Sequence, residues 1–261
     1  MSEEQPTAEH MYTEEFTKVE SIFVRYRNVL MVRAQFTPIY TDYYLHLMEQ
    51  KLRHKEELDQ QLKDMLALFT LHLTARPWAE TIAWTVNLRA PRVNFFVTGG
   101  SVHENVTGNL FTEGIREADR NILYSQTTLT EGEGRKSNVE LESNDPIEWI
   151  ETYYTQSEQR PARAFKLDDE NYVLLAAQPD ADLEWLESLT DEDVAKLTDV
   201  EETKVLETRR FRFHCGCSVE RVLPALHSWK DRKDELFQGA ESIQVNCPRC
   251  GAKHTVTPEM L

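Results

Sequence analysis

All four cysteines of this 261-residue chain lie in its last fifth, as Cys215-Gly216-Cys217 and, 29 residues on, Cys247-Pro248-Arg249-Cys250. A disulfide framework spreads its cysteines through the fold, whereas two close pairs read as the halves of one metal site. Zinc closes its tetrahedral shell with four thiolates. Pro248 fixes the bend of the second half, and Gly251 lets backbone amides approach sulfur. Ile243 and Val245 lead in as a short strand, and Thr255 to Thr257 can leave as its partner. The expected cofactor is one Zn²⁺ per chain in the reduced state, held by Cys215, Cys217, Cys247 and Cys250. His214 and His254 border this set but are not needed, since four sulfurs satisfy the metal. Structural zinc contributes apparently ~10–16 kcal/mol and is inseparable from folding of a small module. Its loss is therefore expected to unfold 209–261 and to loosen whatever rests on that module, such as the acidic stretch 179–208 before it.

The rest of the chain reads as an α+β domain. A stretch from Val24 to Phe36 can pair as a strand. From Thr41 to about Thr74 the pattern is helical, with Leu58, Leu62, Met65, Leu66 and Phe69 on one stripe. Period two then takes over: Ile82, Trp84, Val86 and Leu88 alternate with smaller or polar residues. Val93 to Val97, Val106 to Phe111, Leu123 to Leu129 and Asn138 to Glu142 predict further strands. A turn is expected at Thr98 to Ser101, and a flexible tip at Glu131 to Lys136. Asp145-Pro146 predicts a helix start, with Asp as N-cap and Pro at the first helical position. Pro161 ends that helix, and Tyr172 to Ala177 is one more strand. The large domain, 1–178, is thus a mixed or antiparallel sheet with packing helices, its first ~15 residues frayed.

From 179 to 208 Asp and Glu crowd the sequence, and sparse apolar residues support only short helices, one capped at Thr190 with Asp193 three residues on. So acidic and thinly apolar a segment is marginal by itself and reads as a helical linker that folds against something else. Residues 209–261 hold nine Lys and Arg against six Asp and Glu, whereas 1–208 hold 20 against 39. A mildly basic zinc-binding module therefore follows an acidic body, and Pro224 is expected to kink the helix after Cys217.

Function classes narrow accordingly. The net charge of −16 argues against a chain that grips nucleic acid or membrane through its overall charge, although Arg209, Arg210, Arg212 and Arg221 near the cysteines raise a zinc ribbon as a minor possibility. No run of about 18 apolar residues exists, and the amino terminus lacks a basic start and an apolar core, so the expected compartment is the cytoplasm. No phosphate-binding loop, dinucleotide fingerprint, nucleophile elbow or distinctive carboxylate pair is present. That points away from an enzyme.

Two stretches resemble the 33 kDa heat-shock protein family of redox-switched holdase chaperones. One runs Phe211-Arg212-Phe213-His214-Cys215-Gly216-Cys217-Ser218-Val219-Glu220-Arg221, followed by Val245-Asn246-Cys247-Pro248-Arg249-Cys250-Gly251. The other is Tyr153-Tyr154-Thr155-Gln156-Ser157-Glu158-Gln159-Arg160-Pro161. Leu189-Thr190 and Val205-Leu206 fall where the family's linker helices lie. The resemblance implies an ATP-independent stress-response chaperone, inactive while zinc sits on four thiolates. Oxidation would form the redox-active disulfides Cys215–Cys217 and Cys247–Cys250, release zinc and unfold the linker. The protein would then bind unfolded client proteins, with a homodimer allowed for the oxidised form. The competing expectation is a constitutive zinc-knuckle adaptor for a protein partner, without a redox switch.

Overall fold

The computed structural model describes residues 15–78, 80–129 and 132–261. The amino-terminal stretch expected to fray lies, up to residue 14, outside the described residues, as does Glu131 of the expected tip. The chain opens with a hairpin, β1 (Thr17–Val24) and β2 (Val29–Gln35), where one strand is expected from Val24 to Phe36. Tyr26 and Asn28 adopt positive φ between the two strands and reverse the chain. Two helices follow in place of one. α1 (Thr37–Gln50) stops at Lys51, which is left-handed, and Leu52 N–H closes the end on the Leu47 carbonyl. α2 (Glu56–Thr74) then starts with Glu56, Glu57 and Asp59 in its first turn, where carboxylates oppose the helix dipole.

The predicted apolar stripe of α2 is buried, but burial extends further: from Met65 to Thr74 every residue is inside. α2 is the central helix, with sheet on one side and α1 and α3 (Pro146–Tyr153) around it. Asp145 caps α3 as expected, its carboxylate accepting from Ile147 N–H. Strands β3 (Glu80–Leu88), β4 (Val93–Gly100) and β5 (Asn105–Phe111) pair in succession, and β6 (Asn121–Leu129) returns to pair with β3 on its other side, with β7 (Arg135–Leu141) beyond it, all antiparallel. The turn expected at Thr98 to Ser101 begins only at Ser101, because Gly99 and Gly100 continue β4. A side chain at Gly99 would meet the Asn105 carbonyl at 2.6 Å, so the β4–β5 approach requires glycine there. β8 (Ala162–Lys166), β9 (Asn171–Ala177) and β10 (Thr203–Phe213) complete the sheet, in the order β7-β6-β3-β4-β5-β10-β1-β2-β9-β8.

β10 (Thr203–Phe213) is the long connecting strand. It runs antiparallel to β1 along most of its length and parallel to β5 at Arg212 and Phe213, which joins the two halves of the sheet. Val205 and Leu206 are therefore in a strand rather than in linker helices, and the expected linker end at 208 falls inside it. The alternation of Thr203, Val205, Glu207, Arg209, Phe211 and Phe213 is the period-two signal for this. Arg209 is 2% exposed. It donates to the Leu73 and Arg76 carbonyls, lies over the Trp78 ring at 4.3 Å and pairs with Glu207 at 2.7 Å, so it does not offer its charge to a surface ligand.

Helices cover one face of the sheet and, over β1, β2, β8 and β9, the other face as well. One face packs on α1, α2 and α3 around Phe69, Trp84, Phe95 and Phe211. The other face, along β1, β2, β8 and β9, is covered by α4 (Leu183–Ser188), α5 (Asp191–Ala195) and α6 (Leu197–Val200). Leu186, Leu189, Val194 and Leu197 from this acidic segment meet Ile22, Met31, Phe165 and Leu175. The Thr190–Asp193 capping box is formed. Acidic side chains of the segment meet arginines of the first hairpin: Arg27 bonds Asp182 at 2.7 Å and Glu201 at 3.0 Å, and Arg25 bonds Glu202 at 2.5 Å. The segment thus rests on the sheet and not on the cysteine module, and part of its negative charge is met by Arg25 and Arg27.

Two outcomes follow from this packing. Leu186→Ala removes a side chain that is 1% exposed between the segment and the sheet, a loss of about 2–4 kcal/mol. Amide hydrogen exchange over 183–200 should accelerate while that of α2 stays as it was; equal rates would contradict the packing. His72, wholly buried against Trp84 with Nδ1 3.1 Å from the Tyr154 hydroxyl, is held neutral well below its ordinary pKa by burial and then by Arg76 and Arg160. Below pH 6.5 the unfolded chain takes up a proton at this site that the folded chain refuses, so stability falls with pH. A His72→Gln variant should lose less melting temperature between pH 7 and pH 5 than the parent.

Candidate metal centre

β10 delivers the first cysteine pair. Past Phe213 the chain remains tied to the sheet, His214 N–H donating to the Val106 carbonyl at 2.8 Å. Cys215 and Cys217 then turn around Gly216, which takes a φ of +62°. The second pair sits on the loop of a two-stranded hairpin, β11 (Ile243–Asn246) and β12 (Lys253–Val256), as the flanking sequence predicts. Cys247 N–H donates to the Ala252 carbonyl at 2.7 Å and Gly251 N–H to the Cys247 carbonyl at 2.8 Å, which folds Cys247 to Cys250 into a tight knuckle. Gly251 has a φ of +74°, and a Cβ there would stand 2.9 Å from Leu52 Cδ1, so both its backbone angle and its close approach to the body call for glycine.

All four sulfurs converge. They lie within 4.8 Å of one another, with Cys215 Sγ 3.7 Å from Cys247 Sγ and Cys217 Sγ 3.6 Å from Cys250 Sγ. Zinc–sulfur distances of ~2.3 Å at tetrahedral angles place ligand sulfurs ~3.8 Å apart. The donor set therefore fits a tetrathiolate zinc ion, with Cys215, Cys217, Cys247 and Cys250 as its holders. Bound there, zinc would offset two of the four thiolate charges and supply a fixed link between the two loops. The thiols also act on one another: hydrogen bonds from Cys215, Cys217 and Cys250 pull the Cys247 thiol far down, and giving such bonds pushes Cys217 and Cys250 up. Cys247 and Cys250 are buried, Cys215 and Cys217 partly exposed.

Both histidines that border the cluster are placed outside it. His254 Nε2 lies 3.3 Å from Cys217 Sγ, at hydrogen-bonding range to sulfur, and His214 has its pKa lowered by burial and by the guanidiniums of Arg212 and Arg221. The module docks on the carboxyl end of α1. His46 Nε2–H donates to the Cys250 carbonyl at 2.8 Å, and Gln50 Oε1 accepts from Lys253 N–H at 2.9 Å. Sequence reading missed His46 and Gln50, which are some 200 residues from their partners and carry no local motif. Between the cysteine pairs, α7 (Val219–Val222) ends where Pro224 stands, and the chain continues as a 3₁₀ helix over Leu223–Arg232 before α8 (Lys233–Phe237). The expected kink is thus a change of helix type.

Among the described residues no helix is long and apolar enough to cross a membrane. The family model described as "Hsp33 protein" matches residues 121–257, just over half of the chain. The curated "33 kDa chaperonin" of Edwardsiella ictaluri is 29% identical over 159 residues, which are 51% of this chain and 54% of that protein. That of Pectobacterium carotovorum is 29% identical over 158 residues, 51% of this chain and 55% of the relative. The matched stretch therefore spans about half the length of these relatives. The 33 kDa chaperonin of Aliivibrio salmonicida aligns over 259 residues at 24% identity, covering 86% of this chain and 88% of its own. The crystal structure of the 33 kDa chaperonin from Thermotoga maritima superposes with a TM-score of 0.70 over 94% of this chain and 96% of that one, at 14% identity, a likeness of fold. With its four-cysteine cluster inside a family match that takes in just over half of its length, the chain belongs to the Hsp33 family.

Proposed function

We propose that this chain is a redox-regulated, ATP-independent chaperone of the cytoplasm, held inactive while zinc sits on Cys215, Cys217, Cys247 and Cys250. The observation that carries the reading is the convergence of all four cysteines of the chain, from two loops, at tetrathiolate spacing. Thiolates on zinc are also the reducing equivalents. Each disulfide, Cys215–Cys217 or Cys247–Cys250, would take two electrons from two thiolates, which a peroxide accepts as it is reduced to water. The donor set is then spent and zinc leaves. The 29-residue connection between the pairs has almost no core of its own, since Phe237 is its one buried apolar residue among the described ones. Without the metal it has little to hold it folded.

Release at Cys215 acts on the end of β10, the strand into which the acidic segment 183–200 feeds. That segment covers apolar side chains of the sheet through helices of only four to six residues, too short to persist alone. Its departure would uncover Ile22, Met31, Phe165 and Leu175, a surface suited to apolar segments of unfolded client proteins. The activated form can also cover this face with a second copy, as a homodimer.

The reduced chain should carry one zinc, and peroxide with mild heat should release it together with a loss of far-ultraviolet helical signal and a gain in suppression of light scattering by an aggregating client. Zinc retained through peroxide, with an unchanged spectrum, would instead establish the constitutive adaptor. Zinc lost without any gain in suppression would reject the chaperone reading while leaving the metal site standing. The docking contact has its own outcome. His46→Ala removes the donor to the Cys250 carbonyl, and loss of such an outer contact should weaken zinc retention against a chelator about ten-fold or more. Retention equal to the parent would show that the body does not support the module.

A further inference from the structure

Beside the cysteine cluster, on the side away from His46 and Gln50, a cavity of about 430 Å³ separates the module from the sheet. Its walls are strongly cationic. Arg221 and Arg249 reach it from the module and Arg212 from β10, with His103 and His214 alongside. No carboxylate among the described residues lines it, although the chain has 45 Asp and Glu against 29 Lys and Arg. Asp42, fully buried, has its carboxylate 4.0 Å from Arg212 Nε and offsets part of that one charge. The remaining wall is built of small polar groups. Thr81, Thr98, Asn105 and Thr107 line it, and Thr107, 3% exposed, brings a hydroxyl with no hydrogen-bond partner.

Arg249 is bonded to the Cys247 sulfur and Arg221 Nη1 donates to the Gly216 carbonyl at 2.6 Å, so the thiolates offset part of this cationic charge. A guanidinium has five N–H donors, however, and these contacts leave others for an anion in the concavity. Planar guanidiniums match the oxygens of a phosphate in paired hydrogen bonds, and threonine hydroxyls and asparagine amides complete such a shell. The volume exceeds that of a bare phosphate and admits an attached sugar or a second phosphoryl group. We infer that this cavity is a binding site for a phosphate-bearing anion, gripped by Arg221 and Arg249 of the cysteine module and by Arg212 of the sheet. Because the charged groups come from both sides of the gap, an occupant ties the module to the body. Binding is then linked to the stability of the docked form. The site does not depend on the redox reading, since its groups are arranged with the thiols unoxidised.

The test uses the reduced, full-length chain, with inorganic phosphate, pyrophosphate and adenosine monophosphate titrated calorimetrically at ionic strength matched with chloride. Saturable binding and a rise in melting temperature above the chloride control are expected with at least one of the three. Tighter binding of the nucleotide than of both inorganic anions would make a phosphate ester the ligand, and the reverse would make it the free anion. Arg221→Gln with Arg249→Gln should weaken binding ten-fold or more. Arg232→Gln, an exposed arginine of the same module paired with Glu235, should leave it unchanged. Zinc is quantified in each variant, and if the Arg249 change alters zinc content, Arg221→Gln alone decides. No saturable binding of any of the three, or equal weakening by Arg232→Gln, would overturn the inference.

Discussion

Four sulfur atoms stand in for a hydrophobic core in the last fifth of the chain. Around Cys247, Cys250 and Ala252, with Cys215 and Cys217 against them, there is one small cluster, and outside it the module buries little apolar surface. A segment of this size cannot offset the entropy of ordering its backbone by so little burial. Whatever holds the sulfurs together therefore holds the module together. The thiols by themselves offer weak hydrogen bonds and mutual repulsion once ionised, so the arrangement is sensible only with a cation at its centre. The same dependence makes the module a switch in the proposed reading, because a reaction at sulfur removes the one element that resists unfolding.

The architecture sets how far such an event could be felt. The acidic segment makes its apolar contacts with β1, β2, β8 and β9 and its ionic contacts with Arg25 and Arg27, and the module lies against α1 and β5 instead. The sequence suggests that the segment rests on the module, and the structure separates the two. What connects them is β10. Its Arg209 is buried beneath Trp78 and bonded to the end of α2, so the middle of the strand is anchored in the body. On its amino-terminal side Val205 and Leu206 are exposed and the pairing with β1 slips at Ser21 and Ile22. The end adjoining the acidic segment is thus the less secured part of the strand, and the end adjoining the cysteines is held by β5 through two residue pairs.

Much of this was legible in the sequence, and the reasons differ by element. The cysteine spacing named the cluster because metal chemistry restricts it to few patterns. The alternating strands and the Asp145 cap were legible because each is a local signal that the tertiary contacts reinforce. The break between α1 and α2 was not, because Lys51 is an uncommon left-handed residue and glycine, the usual sign of such an end, is missing. β10 was split between linker and module, since charge composition changes at residue 209 while the strand period continues through it. His46 and Gln50 had no signal at all; only the fold brings α1 to the knuckle.

The charge pattern of the chain now has a structural account with two parts. The excess of acid in 182–202 is set against Arg25 and Arg27, in pairs with a third to a half of each arginine side chain exposed. Exposed pairs of this kind contribute at most about 1 kcal/mol each and are screened by salt. They orient the segment over the sheet without fixing it there. The excess of base at 212–249 is different in kind, because its guanidiniums face a concavity between two parts of the protein and find no described carboxylate in the wall. An ion pair across an exposed seam can open at small cost, whereas a cationic gap closed by an anion resists opening in proportion to how tightly the anion binds. Cover over the sheet is thus held loosely by its own charges. The seam beside the cysteines carries guanidiniums on both sides, and a bound anion would tie them across it.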